Sequence, residues 1–370
     1  MTKKYLINTA NLHIGGGVQV ASSFISEISK IDANYQNISL CLSDEVSENI
    51  ENISLTSTFF DRILPINVHG FGNPAKSDWK FLDEFDSVFT VFGPLYKWKT
   101  PFKNIIGFAQ PWIIYPDNEV YDSLSFIERI KLKVKFFIQA HFFKRADILI
   151  VELEHVKEGL IRELGIDPDR IHVVHNCVSA LYHCDDLWEP VDMPQRHGFL
   201  KLGFVGRNYV HKNTKIFSEI VHCLKNDHGI DALFYVTFTP EEWQACSPGF
   251  RKVCVNIGPL RAAQCPRFYE SLDAVVFPSL LESFSATPLE ALSMSKPLFA
   301  SDRPFNRDIC GDFACYFDPV CARDAADKIA AAFAGDGPDQ TWIEQARQHA
   351  LNFSTPADRA QKYLNILRNS

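Results

Sequence analysis

No C-x-x-C pair occurs among the ten cysteines, and no uninterrupted apolar stretch approaches the roughly 18 residues that would suggest a membrane span. The first absence removes the usual zinc and dithiol patterns. Most of the cysteines sit inside apolar runs such as Leu40-Cys-Leu42 and Lys252-Val-Cys-Val255, which suits buried, reduced thiols. The amino terminus, Met1-Thr-Lys-Lys-Tyr-Leu-Ile-Asn8, has an apolar run too short for a signal peptide. A cytoplasmic chain is therefore expected, either free or peripheral on the inner face of the membrane. An excess of positive charge is also missing. Thirty-seven basic against 45 acidic residues leave a net charge of −8, which argues against a general nucleic-acid binder.

What is present is a long, apolar chain with a pattern that runs twice. At 370 residues and 46% hydrophobic, it fits two domains of ordinary size. Tyr5 to Thr9 reads as a strand, Asn11-Leu-His-Ile-Gly-Gly-Gly17 as a turn, and Ala21, Phe24, Ile25 and Ile28 as one face of a helix. The glycines let backbone approach a phosphate or sugar, although the spacing is not G-x-G-x-x-G. Further strands are expected at Ile38–Leu42, Ser87–Phe92, Asn104–Ala109, Asp147–Val151 and Ile171–His175, with helices at Ser123–Arg145 and His155–Leu164. Residues 185–198, with two prolines and clustered charge, read as a linker. Lys201-Leu-Gly-Phe-Val-Gly206 then starts the alternation again, and helices near 322–333, 340–351 and 356–367 close the chain. The expected architecture is α/β, with two Rossmann-like doubly wound domains facing across a cleft: residues 1–184 and 199–355.

Two stretches of the second half carry chemistry. Gly206-Arg207-Asn-Tyr-Val-His-Lys212 follows that half's first strand, which puts Arg207 at a strand's carboxyl end and Lys212 just before a helix. Arginine grips two oxygens of a diphosphate and lysine adds a mobile point charge, so the pair would stabilise a departing nucleoside diphosphate without a metal. A solvated surface pair is the alternative. The stretch from Pro278 to Asp302 joins the apolar strand Ala274–Phe277 to a helix, and two carboxylates, Glu282 and Glu290, flank the loop. Carboxylates accept hydroxyl hydrogen bonds in a charge-assisted way, which suits a sugar or ribose. Glu290 has a competing role, because Thr287-Pro-Leu-Glu290 spells a capping box with proline at the first helical position.

Gly206-Arg207 with Lys212, the Glu282 and Glu290 pair with seven residues between, Val276-Phe-Pro-Ser279 and Lys296-Pro-Leu-Phe-Ala-Ser-Asp302 together resemble glycosyltransferase family 4, retaining enzymes of GT-B fold. Ile171-His-Val-Val-His-Asn176 and Ile257-Gly-Pro-Leu260 resemble that family's pre-linker strand and nucleobase-side loop. The resemblance implies catalysis by Arg207, Lys212 and Glu282. It places the donor on Gly16, Gly17, Pro259, Leu260, Ser283, Phe284, Ser285 and Glu290, with Glu290 on the ribose, and the acceptor near Gln110 and His13. It also implies that residues 356–370 pack back on the first domain, which binds acceptor. No metal and no cofactor beyond the nucleotide-sugar substrate are implied, and His172, His175 and His211 lack metal-ligand spacing.

Three positions depart from the family pattern. Ser285 and Ser295 stand where glycine is frequent, so either loop is expected to take a different path. Gln110 stands where many relatives have histidine, and it can orient a hydroxyl but cannot shuttle protons. Between 127 and 145, Arg129, Lys131, Lys133, Lys135, Lys144 and Arg145 face one acid, Glu128, among four phenylalanines. That segment reads either as a core helix with a basic side or as a docking surface for anionic lipid helped by Lys97, Trp98, Lys99 and Lys103. The expected function is retaining sugar transfer to a lipid-linked saccharide in polysaccharide or O-antigen assembly. A sugar-nucleotide epimerase and a non-catalytic sugar-nucleotide binder are the alternatives.

Overall fold

Tyr5–Asn8 is buried at every position and forms β1, with the parallel neighbours β2 (Ile38–Leu42) and β4 (Ser87–Thr90) on its two sides. Strands that bury both faces read as continuous apolar runs, which is why these short segments line up in parallel. The computed structural model describes residues 3–31, 37–50, 60–70, 80–194, 196–335 and 337–370. With β3 (Ile63–Pro65), β5 (Lys103–Gly107), β6 (Ile148–Val151) and β7 (Ile171–Val173), the first sheet has seven strands in the order β3-β2-β1-β4-β5-β6-β7. Its helices are α1 (Gly16–Lys30), α2 (Asp44–Ile50), α3 (Pro111–Ile114), α4 (Phe126–Lys144) and α5 (Glu154–Leu164). Ala21, Phe24, Ile25 and Ile28 of α1 are fully buried, as their spacing predicts. Gly15 starts the helix at φ 72, a left-handed conformation that disfavours a side chain.

The second sheet has six parallel strands in the order β10-β9-β8-β11-β12-β13: β8 (Leu200–Phe204), β9 (Ala232–Val236), β10 (Cys254–Asn256), β11 (Ala274–Phe277), β12 (Leu298–Ser301) and β13 (Cys315–Phe317). The helices here are α6 (Ile216–His228), α7 (Pro240–Ala245), α8 (Pro248–Val253), α9 (Cys265–Glu270), α10 (Ala286–Ser293), α11 (Pro304–Cys310), α12 (Ala322–Ala332) and α13 (Gln340–Asn352). The last helix, α14 (Pro356–Asn369), belongs to the first unit.

The chain divides into a unit of residues 1–116, 126–176 and 354–370 and a unit of residues 117–125 and 177–353. Two boundaries therefore differ from those read from sequence. Residues 185–198 are not a free linker, and 177–184 do not belong to the first unit. The Tyr182 ring is buried 6.3 Å from that of Tyr269, the Trp188 indole donates to the Leu181 carbonyl, and Tyr235 and Gln264 donate to the carbonyls of Pro194 and Pro190. Position 195 of the expected linker lies outside the described residues. Residues 117–125 also join the second unit, where Glu119 pairs with Arg303 at 2.5 Å. Prolines and charges marked a break in periodicity, and a break in periodicity is not a break in packing.

α14 is held in the first unit by both apolar and polar contacts. Tyr363 is wedged edge-on against Phe24 and Phe89, at 5.1 and 5.2 Å between ring centres, and Leu364 and Leu367 enter the same core. Burying a ring of that size stabilises by about 1.5–3 kcal/mol. Arg359, also buried, donates to the Ser23 hydroxyl at 2.7 Å and to the Asn176 side-chain oxygen, and the Asn176 amide donates to Glu152 Oε1 at 2.9 Å.

Burial pushes the Glu152 carboxyl up to about 7, against the Asn176 hydrogen bond and the Arg359 charge, which pull it down. A carboxyl raised in the folded state binds its proton more tightly there than in the unfolded chain. Its contribution to stability is full below the ordinary value of 4.5 and is lost as pH rises toward about 7. The expected fall is at most about 1.4 kcal/mol per pH unit across that window. Glu152→Gln keeps an acceptor for Asn176 and is expected to flatten the fall. Denaturant unfolding at pH 5 and pH 7.5 checks this, and an unchanged slope in the variant would assign it to another group.

Candidate active site

The site grows from the carboxyl ends of β8 and β11, which are neighbours in the second sheet. After β8 the chain turns at Gly206, at φ 150, where its N–H donates to the Thr237 hydroxyl at 3.1 Å. Arg207 follows, and its Nε donates to Glu242 Oε1 at 2.8 Å. Glu242 is itself fixed by the capping box of α7: Thr239 Oγ1 accepts from the Glu242 N–H, and Glu242 Oε2 accepts from the Thr239 N–H. Burial raises the Glu242 carboxyl, but the Thr239 amide and Arg207 outweigh it and hold the group below its ordinary value. Glu242 thus orients Arg207 by Nε, while the half-exposed guanidinium keeps its outer edge toward solvent.

Three residues beyond Arg207, the short 3₁₀ turn Val210–Lys212 begins; it is ended by Asn213 in the left-handed region, at φ 54, and the Asn213 amide donates to the Pro319 carbonyl. Lys212 Nζ lies 2.6 Å from Glu282 Oε1 and 5.1 Å above the Phe277 ring. The Ser279 hydroxyl donates to the same carboxylate oxygen at 2.6 Å. The two loops are tied through backbone as well, because the Leu280 N–H donates to the His211 carbonyl at 2.8 Å. His211 Nε2 stands 4.0 Å from Glu282, and burial holds its imidazole below the ordinary value despite the carboxylate. From sequence, His211 was weighed with His172 and His175 for metal-ligand spacing alone, so its place beside Glu282 was missed. Its adjacency to Lys212 was the available signal.

Beyond Glu282, the backbone N–H groups of Ser283, Phe284 and Ser285 make no hydrogen bond among the described residues, and Ser283 and Ser285 are buried. Buried amides are almost always paired, so amides left open at the start of α10 suit a phosphate or hydroxyl oxygen of a ligand. The expected capping box at Thr287 is absent. α10 begins at Ala286, its N-cap Ser285 makes no side-chain cap, and Thr287 donates instead to the Val205 carbonyl. Pro288 is accordingly the third helical residue and not the first. Glu290 is used differently: Tyr269 OH donates to its Oε2 at 2.9 Å. Burial raises the Glu290 carboxyl, and the Tyr269 and Tyr182 hydroxyls pull the other way.

The two serines that replace glycine behave oppositely. Ser285 is extended, at φ −137, so the loop needs no glycine there. Ser295 sits at φ 56 and carries the strain that sequence suggested for both positions. Lys296, next to it, donates to the carbonyls of Glu270 and Leu272, closing the end of α9. Pro259 and Leu260 follow Gly258, which is at φ 85, beyond β10; Pro259 is exposed and Leu260 half-buried.

The remaining expected residues lie in the first unit. Gly16 and Gly17 open α1. His13 is occupied at both ring nitrogens, by Glu45 at 2.8 Å and the Val68 carbonyl at 2.9 Å, and it stacks on His69. That arrangement gives His13 a structural task in place of a free acceptor-side ring. Gln110 precedes α3; its carbonyl accepts from the Ile113 N–H at 3.1 Å, while its side chain makes no cap and no hydrogen bond among the described residues. Among those residues no group of three His, Cys, Asp or Glu side chains is placed to hold a metal ion.

Residues 195–349 match the family model of glycosyl transferases group 1, a segment that contains Arg207, Lys212, Glu282 and Glu290. That matched segment lies within the second unit. The chain is 22% identical over 216 residues to the O-antigen chain mannosyltransferase RfbU of Salmonella typhimurium, covering 55% of this chain and 53% of that protein. It therefore spans about half the length of the curated relative it matches. Solved structures align along the whole chain. A glycosyltransferase from Rickettsia africae has a TM-score of 0.72 at 15% identity, with 100% of this chain and 99% of that one covered. WaaG, a glycosyltransferase involved in lipopolysaccharide biosynthesis, has 0.69 at 14%, with 99% and 100% covered. Anabaena Alr3699/HepE in complex with UDP and glucose has 0.66 at 13%, with both chains fully covered. The two parallel-sheet units and these likenesses identify the GT-B fold, as expected from sequence.

The second unit gives two stability predictions. Lys212→Met leaves the buried Glu282 carboxylate with the Ser279 hydroxyl and the His211 ring at 4.0 Å, which is expected to cost roughly 3–5 kcal/mol in denaturant unfolding. Adding Glu282→Gln should recover at least half of the loss; a strictly additive double variant would mean that the two side chains are not coupled. Ser295→Gly is expected to stabilise by about 1 kcal/mol by removing the left-handed strain, and a lower melting temperature would contradict that.

Proposed function

We propose that the chain is a retaining glycosyltransferase that moves a sugar from a nucleoside-diphosphate donor to a hydroxyl of a lipid-linked saccharide in surface-polysaccharide or O-antigen assembly. The observation that carries the reading is the Lys212–Glu282 pair, with Arg207 beside it on the same loop, inside the segment that matches the family model. The outer edge of Arg207 grips the diphosphate while Glu242 holds its Nε. Lys212 turns from Glu282 to the phosphate and neutralises the charge that develops as the glycosidic oxygen departs. Glu282, released from the lysine, accepts a hydroxyl of the transferred sugar, and the open amides of Ser283–Ser285 hold further oxygens. Glu290 has Oε2 committed to Tyr269 and offers Oε1 to the ribose.

In the first unit, Gln110 orients the acceptor and takes no proton; the leaving phosphate accepts it, so attack and departure share one face of the sugar. Arg207 and Lys212 supply the positive charge that the leaving group needs, and the reaction as proposed requires no metal. The mannosyltransferase RfbU and the UDP and glucose complex of HepE are consistent with sugar-nucleotide chemistry on this fold.

A thermal-shift screen against UDP, GDP, dTDP and ADP is expected to find one base that raises the melting temperature by several degrees at saturation. Arg207→Ala should erase that shift and lower kcat/KM by about 10² or more, with the melting temperature of the free protein nearly unchanged because the side chain is half-exposed. No shift with any of the four would sink the donor site. Donor turnover without a new glycosidic bond would indicate an epimerase or hydrolase, and donor binding without turnover on any acceptor a non-catalytic binder.

A further inference from the structure

α4 is apolar on two opposite sides. Phe136, Gln139, Phe142 and Phe143 face inward and are buried, with Phe143 edge-on to Phe108 at 4.7 Å and Phe136 stacked on Trp112 at 5.5 Å. That side is the ordinary core face. The other side carries Phe126, Ile127, Ile130, Val134 and Phe137, which are 47–78% exposed, with Ile138 at its margin. At 3.6 residues per turn these five fall within an arc of roughly 100°, away from the buried side chains. Among the described residues, six of the fourteen large exposed hydrophobics belong to this one helix. Trp98, 65% exposed, lies 5.4 Å from the His141 ring and under the Arg145 guanidinium at 5.8 Å, which extends the stripe at its carboxyl-terminal end.

Charge shows what covers it. The helix has one acid, Glu128, and five cations in a chain of net charge −8. Exposed Lys133 and Lys144 border the apolar arc on one edge and exposed Lys131 on the other. Lysines flanking an apolar stripe can lay their stems along it and present their heads to phosphates above it. A second copy of this chain meeting the same face about a two-fold axis would bring lysine against lysine. No helix among the described residues is long and apolar enough to cross a membrane, so this one would lie in the interface. Lys97, expected from sequence to help, is paired with Asp83 at 3.0 Å and takes no part.

We infer that the outer face of α4, with Trp98 at its end, is the surface on which this protein docks to an anionic phospholipid bilayer, its apolar side chains entering the boundary between headgroups and acyl chains. The inference goes beyond the transfer reaction and stands without it, because no donor-site residue is involved.

The test is flotation of the full chain with vesicles of phosphatidylcholine alone and of phosphatidylcholine mixed with phosphatidylglycerol. The protein is expected to float with the anionic vesicles, less with the neutral ones, and less as salt rises. Ile130→Asp combined with Phe137→Asp should abolish flotation, and Lys131→Glu with Lys133→Glu should weaken it at least roughly tenfold. Both variants should keep the melting temperature and the nucleotide-induced shift, which separates a failed surface from a failed donor site. Absence of flotation in the parent chain, equal binding to neutral vesicles, or undiminished binding by the aspartate variant would each overturn the inference. Self-association that the aspartate variant abolishes, without vesicle binding, would overturn it in favour of a contact between copies.

Discussion

The geometry of the second unit depends on the contact between Lys212 and Glu282, and that contact depends on where the sheet reverses. β8 is the first strand of its sheet, with β9 on one side and β11 on the other. The chain leaves β8 in one direction and leaves β11 in the other, so the loops after them diverge and open a crevice at the carboxyl edge. Lys212 comes from one loop and Glu282 from the other, 70 positions apart. A charge pair so placed keeps both side chains buried and mutually satisfied. Around it the order is passed outward through ordinary hydrogen bonds. Ser279 holds Glu282, Ser301 holds the Ser279 carbonyl, and the buried Asn306 holds Ser301. Rigid neighbours of this kind let a loop stay in position without being part of the sheet.

The first unit is organised by a different polar constraint. Glu152, Asn176 and Arg359 form a chain of hydrogen bonds in a dry environment, where a half-satisfied network would be worse than an apolar one. It ties β6 and the end of the first unit's second segment to α14, so the last residues of the chain complete a core begun by the first. Tyr363, between Phe24 and Phe89, supplies the apolar half of the same attachment.

α4 illustrates why amphipathicity is a poor guide when a helix has two partners. Its apolar residues sum to a weak overall bias because two stripes on opposite sides cancel. From the sequence the segment read either as a core helix with a basic side or as a docking surface. In three dimensions the inward stripe is the core face, and three of the five cations, Lys131, Lys133 and Lys144, border the outward one.

The alternation of strands and helices, the face of α1, the cations of the 206–212 loop and the Glu282 and Glu290 pair were all legible in the sequence, because each rests on local periodicity or on spacing along one loop. The twofold pattern of parallel strands was determined at that level too. Tertiary structure decided which groups satisfy one another. It assigned Lys212 to Glu282, gave Arg207 to Glu242, used both nitrogens of His13, and replaced the capping box of Glu290 with a hydrogen bond from Tyr269. It also moved residues 117–125 and 177–198 into the second unit. The physical reason is the same in each case: a buried polar group must find a partner, and which partner is near is a property of the folded chain, since the candidates lie from one turn to more than 180 residues away.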